Sequence, residues 1–145
     1  MTPQNFKNHA RYYPFHHFVI TPLTLILLGW TISKSDFSTS EATSASLYQL
    51  LIALILVLLP LLARLYALKL QNRMILNEMR IRYFHLTGTP FYEKENQLKM
   101  GQIIALRFAS DAELLELMDK SIQKGLSPKE IKLKIKNWKG DYRRV

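Results

Sequence analysis

Apolar positions gather in two long runs at the head of the chain and afterwards recur only at helical spacing. The first run covers residues 15–32 and the second residues 47–63, with a Ser/Thr-rich stretch between them. A bilayer core about 30 Å thick needs roughly 20 apolar residues in helical form, within a range of about 17–25. Both runs meet that need at its short end, and flanking aromatic and basic residues lengthen them by snorkelling. The pattern predicts transmembrane helices over residues 15–33 and 47–63, joined by a loop over 34–46. A cleaved secretory signal fits the first run less well. Pro22 and Trp30 interrupt it, and no small-x-small cleavage site follows. Burial of both runs in a soluble core fits less well still, since a chain this small cannot cover two such helices on all sides.

The second helix is expected to continue past the bilayer. No Gly or Pro occurs from 61 to 87, good helix formers fill the stretch, and Glu78 and Arg82 stand at i, i+4 in the favourable order. One helix over about 46–84 follows, with residues 64–86 as its extension, Pro60 bending it, and Gly88 and Pro90 ending it. Leu61, Leu65, Leu68, Asn72, Ile75 and Met79 make a stripe at 4-3-4-3-4 spacing. Such a stripe serves a parallel coiled coil with Asn72 fixing the register, or packs against the chain's own C-terminal helices. The second option is favoured, because coiled coils sustain the pattern over about three to four heptads.

Residues 97–145 read as a compact bundle of about three short helices. The first covers about 97–109 and carries Leu98, Ile103, Ile104, Leu106 and Phe108. Ser110 and Glu113 form a capping box that opens the second, which Gly125 closes. Ser127, Pro128 and Glu130 open the third, with Ile131, Ile135 and Trp138 on one face and Gly140 at its end. The expected fold is all-α: a membrane hairpin whose second helix extends into the cytoplasm and leads to a helical module.

Charge supplies the orientation. The chain carries a net charge of +9. Lys7 and Arg11 precede the first run without an acid, the loop 34–46 is net negative, and 17 Lys/Arg against 9 Asp/Glu follow from Arg64 onward. The positive-inside rule then puts the tail 1–14 and the C-terminal part in the cytoplasm and the loop outside, as a multi-pass protein of the bacterial inner membrane. Arg64, Lys69, Arg73, Lys132, Lys136, Lys139, Arg143 and Arg144 are candidates for contact with an anionic surface. Lipid headgroups would supply about 1 kcal/mol per cation, ribosomal RNA is the other polyanion at hand, and a solvated, topology-setting role needs neither.

The sequence offers little catalytic chemistry. There is no cysteine, and therefore no disulfide, thiolate nucleophile or Cys-ligated metal. His16 and His17 are adjacent, so on a helix they point about 100° apart, and the second run has no histidine to complete a haem pair. Neither run contains Asp, Glu, Lys or Arg, which speaks against a transporter acting alone. Asp111, Glu113, Glu116 and Asp119 read as a solvated face rather than a paired-carboxylate site. No cofactor, metal or small-molecule substrate is expected.

Several stretches together carry a resemblance. They are Asn5-Phe6-Lys7-Asn8-His9-Ala10-Arg11-Tyr12; Ala63-Arg64 through Gln71 and Arg73; Gln102-Ile103-Ile104-Ala105-Leu106-Arg107-Phe108-Ala109-Ser110-Asp111; and Trp138 with Asp141, Tyr142, Arg143, Arg144 and Val145. The chain resembles a family of small bacterial inner-membrane proteins with two transmembrane helices and no assigned function. The resemblance implies that topology and carries no activity. A permease label attached loosely to its members fits poorly with two short, uncharged spans. It draws interest to a candidate partner interface of Phe6, His9, Arg11, Tyr12, Arg107 and Phe108, to which the helix stripe adds Asn72. The expected function is a non-enzymatic accessory or scaffold subunit of an inner-membrane complex, bound to another membrane protein or to copies of itself. The alternatives are a membrane-tethered binder of anionic lipid or ribosomal RNA, and a transporter-associated subunit.

Overall fold

The computed structural model describes residues 4–9 and 12–141, and every regular element among them is helical. The order is α1 (Thr21–Lys34), α2 (Ser40–Thr87), α3 (Tyr92–Glu95), α4 (Met100–Leu106), α5 (Asp111–Lys124) and α6 (Pro128–Lys134). Two compact units share these elements. Residues 12–68 make one, and residues 69–141 with 4–9 make the other.

In the first unit a π-helical turn, His16–Ile20, leads into α1. Pro22 explains it. Proline has no N–H to offer the carbonyl four residues back, so the turn widens. The Thr21 backbone N–H bonds His16 O instead, and Thr21 Oγ1 donates to the same oxygen at 2.8 Å. The connection to α2 is shorter than the 34–46 loop expected from sequence. Thr39 Oγ1 accepts from the Ala42 N–H at 3.0 Å, so helix begins at Ser40, ahead of Ser44 and Ser46. Ser46 lies inside α2 and clasps the turn, accepting from the Asp36 N–H at 2.8 Å and donating to Asp36 O at 3.0 Å. In this unit only Thr31, Ser46 and Ala53 are buried among the described residues. The segment His16–Lys34 and the helix Ser40–Thr87 are long and apolar enough to cross a bilayer.

The second unit holds the core. Ile75, Met79 and Tyr83 of α2 pack with Phe91, Leu98, Ile103, Leu106, Phe108, Leu114, Leu117, Met118, Leu126, Ile131 and Ile135. The stripe expected to be buried from Leu61 is therefore covered only in its lower part. Ile75 and Met79 are buried and Asn72 half-buried, whereas Leu61, Leu65 and Leu68 are exposed within the chain. Helix α2 ends as its sequence indicates, with the Gly88 N–H bonding Phe84 O at 2.8 Å and Gly88 at φ 69°.

Local signals set the module's helices. Glu113 reaches back to the Ser110 N–H at 3.3 Å, and Ser127 and Glu130 exchange bonds at the head of α6. Gly125, at φ 60°, closes α5 in the left-handed conformation that a side chain would strain. Gly101 answers a different need. A Cβ there would stand 3.1 Å from the Pro128 ring, so glycine lets α4 and α6 approach.

Three expectations need correction. A one-turn helix, α3, occupies what reads as loop. Helix α4 stops at Leu106, so Phe108 and Ala109 lie beyond it. Helix α6 stops at Lys134, so Ile135 and Trp138 are not on a helix face. The cause of the last two is one antiparallel bridge between Ala109 and Trp138. The Lys139 N–H donates to Phe108 O at 2.7 Å and the Ser110 N–H to Asn137 O at 3.0 Å.

Candidate functional site

That bridge builds the most developed cluster in the chain. Glu113 holds it from below, accepting from the Lys136 N–H at 3.1 Å and the Asn137 N–H at 3.0 Å besides its own cap. Phe108 is carried fully into the core. Its ring lies 5.2 Å from Trp138, with the Arg107 guanidinium 4.7 Å above it and Lys132 Nζ at 5.7 Å. Arg107 is buried and pairs with Asp141 at 3.1 Å. A charge so placed is stabilised by its carboxylate and by the negative ring face.

The segment 4–9 closes over this cluster. Gln4 is buried, and its amide pairs with the Asp141 backbone: Oε1 accepts from the Asp141 N–H at 2.7 Å and Nε2 donates to Asp141 O at 3.4 Å. His9 stacks among Phe6, Phe108 and Trp138 at centroid distances of 5.8, 5.9 and 5.8 Å. Its Nδ1 lies 2.7 Å from Phe6 O and its Nε2 2.9 Å from Lys132 Nζ. A carbonyl only accepts and an ammonium only donates. These contacts match the tautomer with its proton on Nδ1, which donates to the carbonyl and accepts from the ammonium.

Arg82 ties α2 to the same junction. Its guanidinium bonds Asp111, Arg107 O at 3.1 Å and Ala109 O, and the side chain is 13% exposed. It thus satisfies carbonyls left open where α4 ends. Sequence paired Arg82 with Glu78; the structure gives Arg82 to Asp111 and to the carbonyls of Arg107 and Ala109. Beside it lies an open groove of about 600 Å³, lined by Glu78, Arg82, His85, Arg107, Lys139 and Asp141 among others.

The acidic residues of α5 form surface ion pairs, with Asp111, Glu116 and Asp119 exposed and Glu113 half-buried. Asp111 bonds Arg82, Lys94 bonds Asp119 and Lys120 bonds Glu116. The hydrogen bond from Arg82 holds the Asp111 carboxyl below its ordinary range, and that from Arg80 does the same for Glu95. At Glu113 burial pushes upward, but the amides of Lys136, Asn137 and Ser110 outweigh it and the net direction is down. All three bind protons less readily folded than unfolded, so their stabilisation is complete above the ordinary carboxylate range and disappears as pH falls through the lowered values. The second unit is expected to lose thermal stability steadily below about pH 4, the unfolded carboxylate range. Circular dichroism melts from pH 7 to pH 2.5 would measure it; a melting temperature flat across that window would contradict the assignment.

Of the residues singled out from sequence, Phe6, His9, Arg107 and Phe108 come together, but against one another. Phe108 and Arg107 are both buried, Phe108 with His9 against its ring and Arg107 in its pair with Asp141. Tyr12 packs edge-on to His17 at 5.4 Å, in the first unit. Lys132 is drawn to His9 and Phe108, whereas Lys136 and Lys139 are exposed. Lys69 and Arg73 are exposed on α2 and Arg64 is half-buried. Arg11, Arg143 and Arg144 lie outside the described residues. Sequence reasoning missed Gln4, Arg82 and the second role of Glu113. Only Arg82 left a trace, as a cation one residue from Tyr83 on a helix with apolar neighbours.

These features define a class: an all-helical protein that joins two helices of membrane-crossing length and hydropathy to a small folded module. The chain belongs to a family of unknown function, DUF6526, whose model matches residues 1–145. No curated protein and no solved structure matches it.

Proposed function

We propose that this protein is a non-enzymatic accessory subunit of the bacterial inner membrane. In this reading its two apolar helices form a hairpin through the bilayer, and its folded module presents a basic surface to a membrane complex in the cytoplasm. The observation that carries the reading is the packing of Gln4, Phe6 and His9 on residues 108–141. These segments flank the two apolar helices on either side. They can pack together only if both lie on the same side of a membrane, which an even number of crossings provides. The near absence of buried side chains between 12 and 68 supports it as well, since Leu and Ile surfaces of that extent call for lipid around them. The charge bias favours the cytoplasm for the module.

Headgroup binding is a second role for the same module, favoured by exposed Lys129, Lys134, Lys136 and Lys139. The chain has no cysteine, so single cysteines report cleanly on topology. An impermeant maleimide should label Ser38→Cys in intact cells and leave Thr2→Cys and Lys94→Cys untouched until the membrane is opened. Labelling at positions 2 or 94 but not 38 would refute the orientation. Mild-detergent purification followed by mass spectrometry of bound protein and lipid would then separate the two roles.

A further inference from the structure

Helix α2 is apolar on two opposite faces where it belongs to the second unit. One face packs Ile75, Leu76, Met79 and Tyr83 into the core. On the other, Leu70, Met74, Ile81 and Phe84 are 64%, 62%, 60% and 53% exposed. With Asn77 these fall at 4-3-4-3 spacing, the alternation of a coiled-coil seam. Set in heptad register, Met74 and Ile81 take a positions and Leu70, Asn77 and Phe84 take d positions. The module then covers b, c and f positions, and a and d are left bare. The seam expected from sequence, through Asn72 and Met79, is the covered face; the bare face is a different one.

We propose that residues 70–84 of α2 form a parallel two-stranded interface with a second copy of this chain. Charge names the partner. Arg73 falls at g and Glu78 at the following e, five residues apart and opposite in sign. In a parallel pair, g of one helix meets e of the next heptad on its partner, so Arg73 of each copy meets Glu78 of the other, twice by symmetry. Neither residue makes an ion pair within its own chain among the described residues. Asn77 is the one polar residue in the seam, the device that fixes register. The seam is about 22 Å long. Its shortness is offset because α2 is already ordered by the core, so no helix nucleation is needed, and two copies held in one membrane meet at high local concentration. The parallel sense rests on the membrane reading above, since copies inserted in one orientation present α2 in the same direction.

Single cysteines at Ile81 and Phe84, oxidised in native membranes, test this directly. Each should meet its own counterpart across the twofold axis and form a disulfide-linked dimer, at least about tenfold more than the exposed control Leu133→Cys. Arg73→Glu and Glu78→Arg should each lower cross-linking at position 81 several-fold, and the double reversal should restore it. Alkaline extraction of the same membranes reports on insertion. Protein that resists extraction yet fails to cross-link at 81 and 84, or cross-links only to a chain of different mass, overturns the dimer and leaves the membrane reading intact. Cross-linking in protein that alkali releases would keep the self-association and overturn the membrane reading. Reversals that do not rescue one another would remove the Arg73–Glu78 pairing and with it the argument for a second copy.

Discussion

Phe108→Ala is expected to cost the second unit about 3–5 kcal/mol, the range for emptying a fully buried aromatic site. The ring is a shared platform: Trp138 lies on it at 5.2 Å, Arg107 and Lys132 lie over it, and His9 meets its edge. Truncation leaves a cavity and takes away the negative face opposite the two cations. Protease cleavage within the first ten residues should rise together with the fall in melting temperature, because the N-terminal segment loses the surface it packs on. Phe108→Leu keeps most of the volume and should cost about 1–2 kcal/mol. A melting temperature unchanged by the alanine substitution would show that the ring is not the centre of this core.

Arg82→Met is the second large effect, at about 2–4 kcal/mol. Methionine matches the stem of arginine and removes the guanidinium, so the loss isolates the polar contacts. The carbonyls of Arg107 and Ala109 lose their donor and Asp111 its cation. Arg80→Met, two residues away on α2 but exposed at 49%, removes a bidentate pair with Glu95 and should cost only about 0–1 kcal/mol. The comparison by urea unfolding is the decisive one. Equal costs for the two arginines would mean that burial at the α4–α5 junction contributes nothing.

What the sequence made legible follows range along the chain. The boxes at Ser110–Glu113 and Ser127–Glu130 and the glycines at 88 and 125 act over four residues or fewer, and each could be read in place. The end of α6 could not. Its continuation through Trp138 satisfies every local rule, and it is overruled by Glu113, 23 residues away, taking the Lys136 N–H. The stripe on α2 was legible in part: Ile75 and Met79 do pack into the module, while Leu61, Leu65 and Leu68 stay exposed. Periodicity does not say how far along a helix its neighbours cover it, and contacts such as those of Arg82 with carbonyls 25 and 27 residues on leave no local sign. Of the interface residues named from sequence, Phe6, His9, Arg107 and Phe108 lie in one cluster, whereas Tyr12 and Asn72 lie elsewhere. The packing of residues 4–9 on this cluster was not legible, because the pairing of Gln4 with Asp141 has no local signature.

That pairing spans 137 positions. It joins a segment ahead of both long apolar helices to one behind them, so it closes a loop through nearly the whole described chain. The entropy lost in closing such a loop rises only slowly with its length, by about 0.6 kcal/mol per doubling. The contacts of Gln4, Phe6 and His9 therefore face a cost little greater than a loop of half the size would impose.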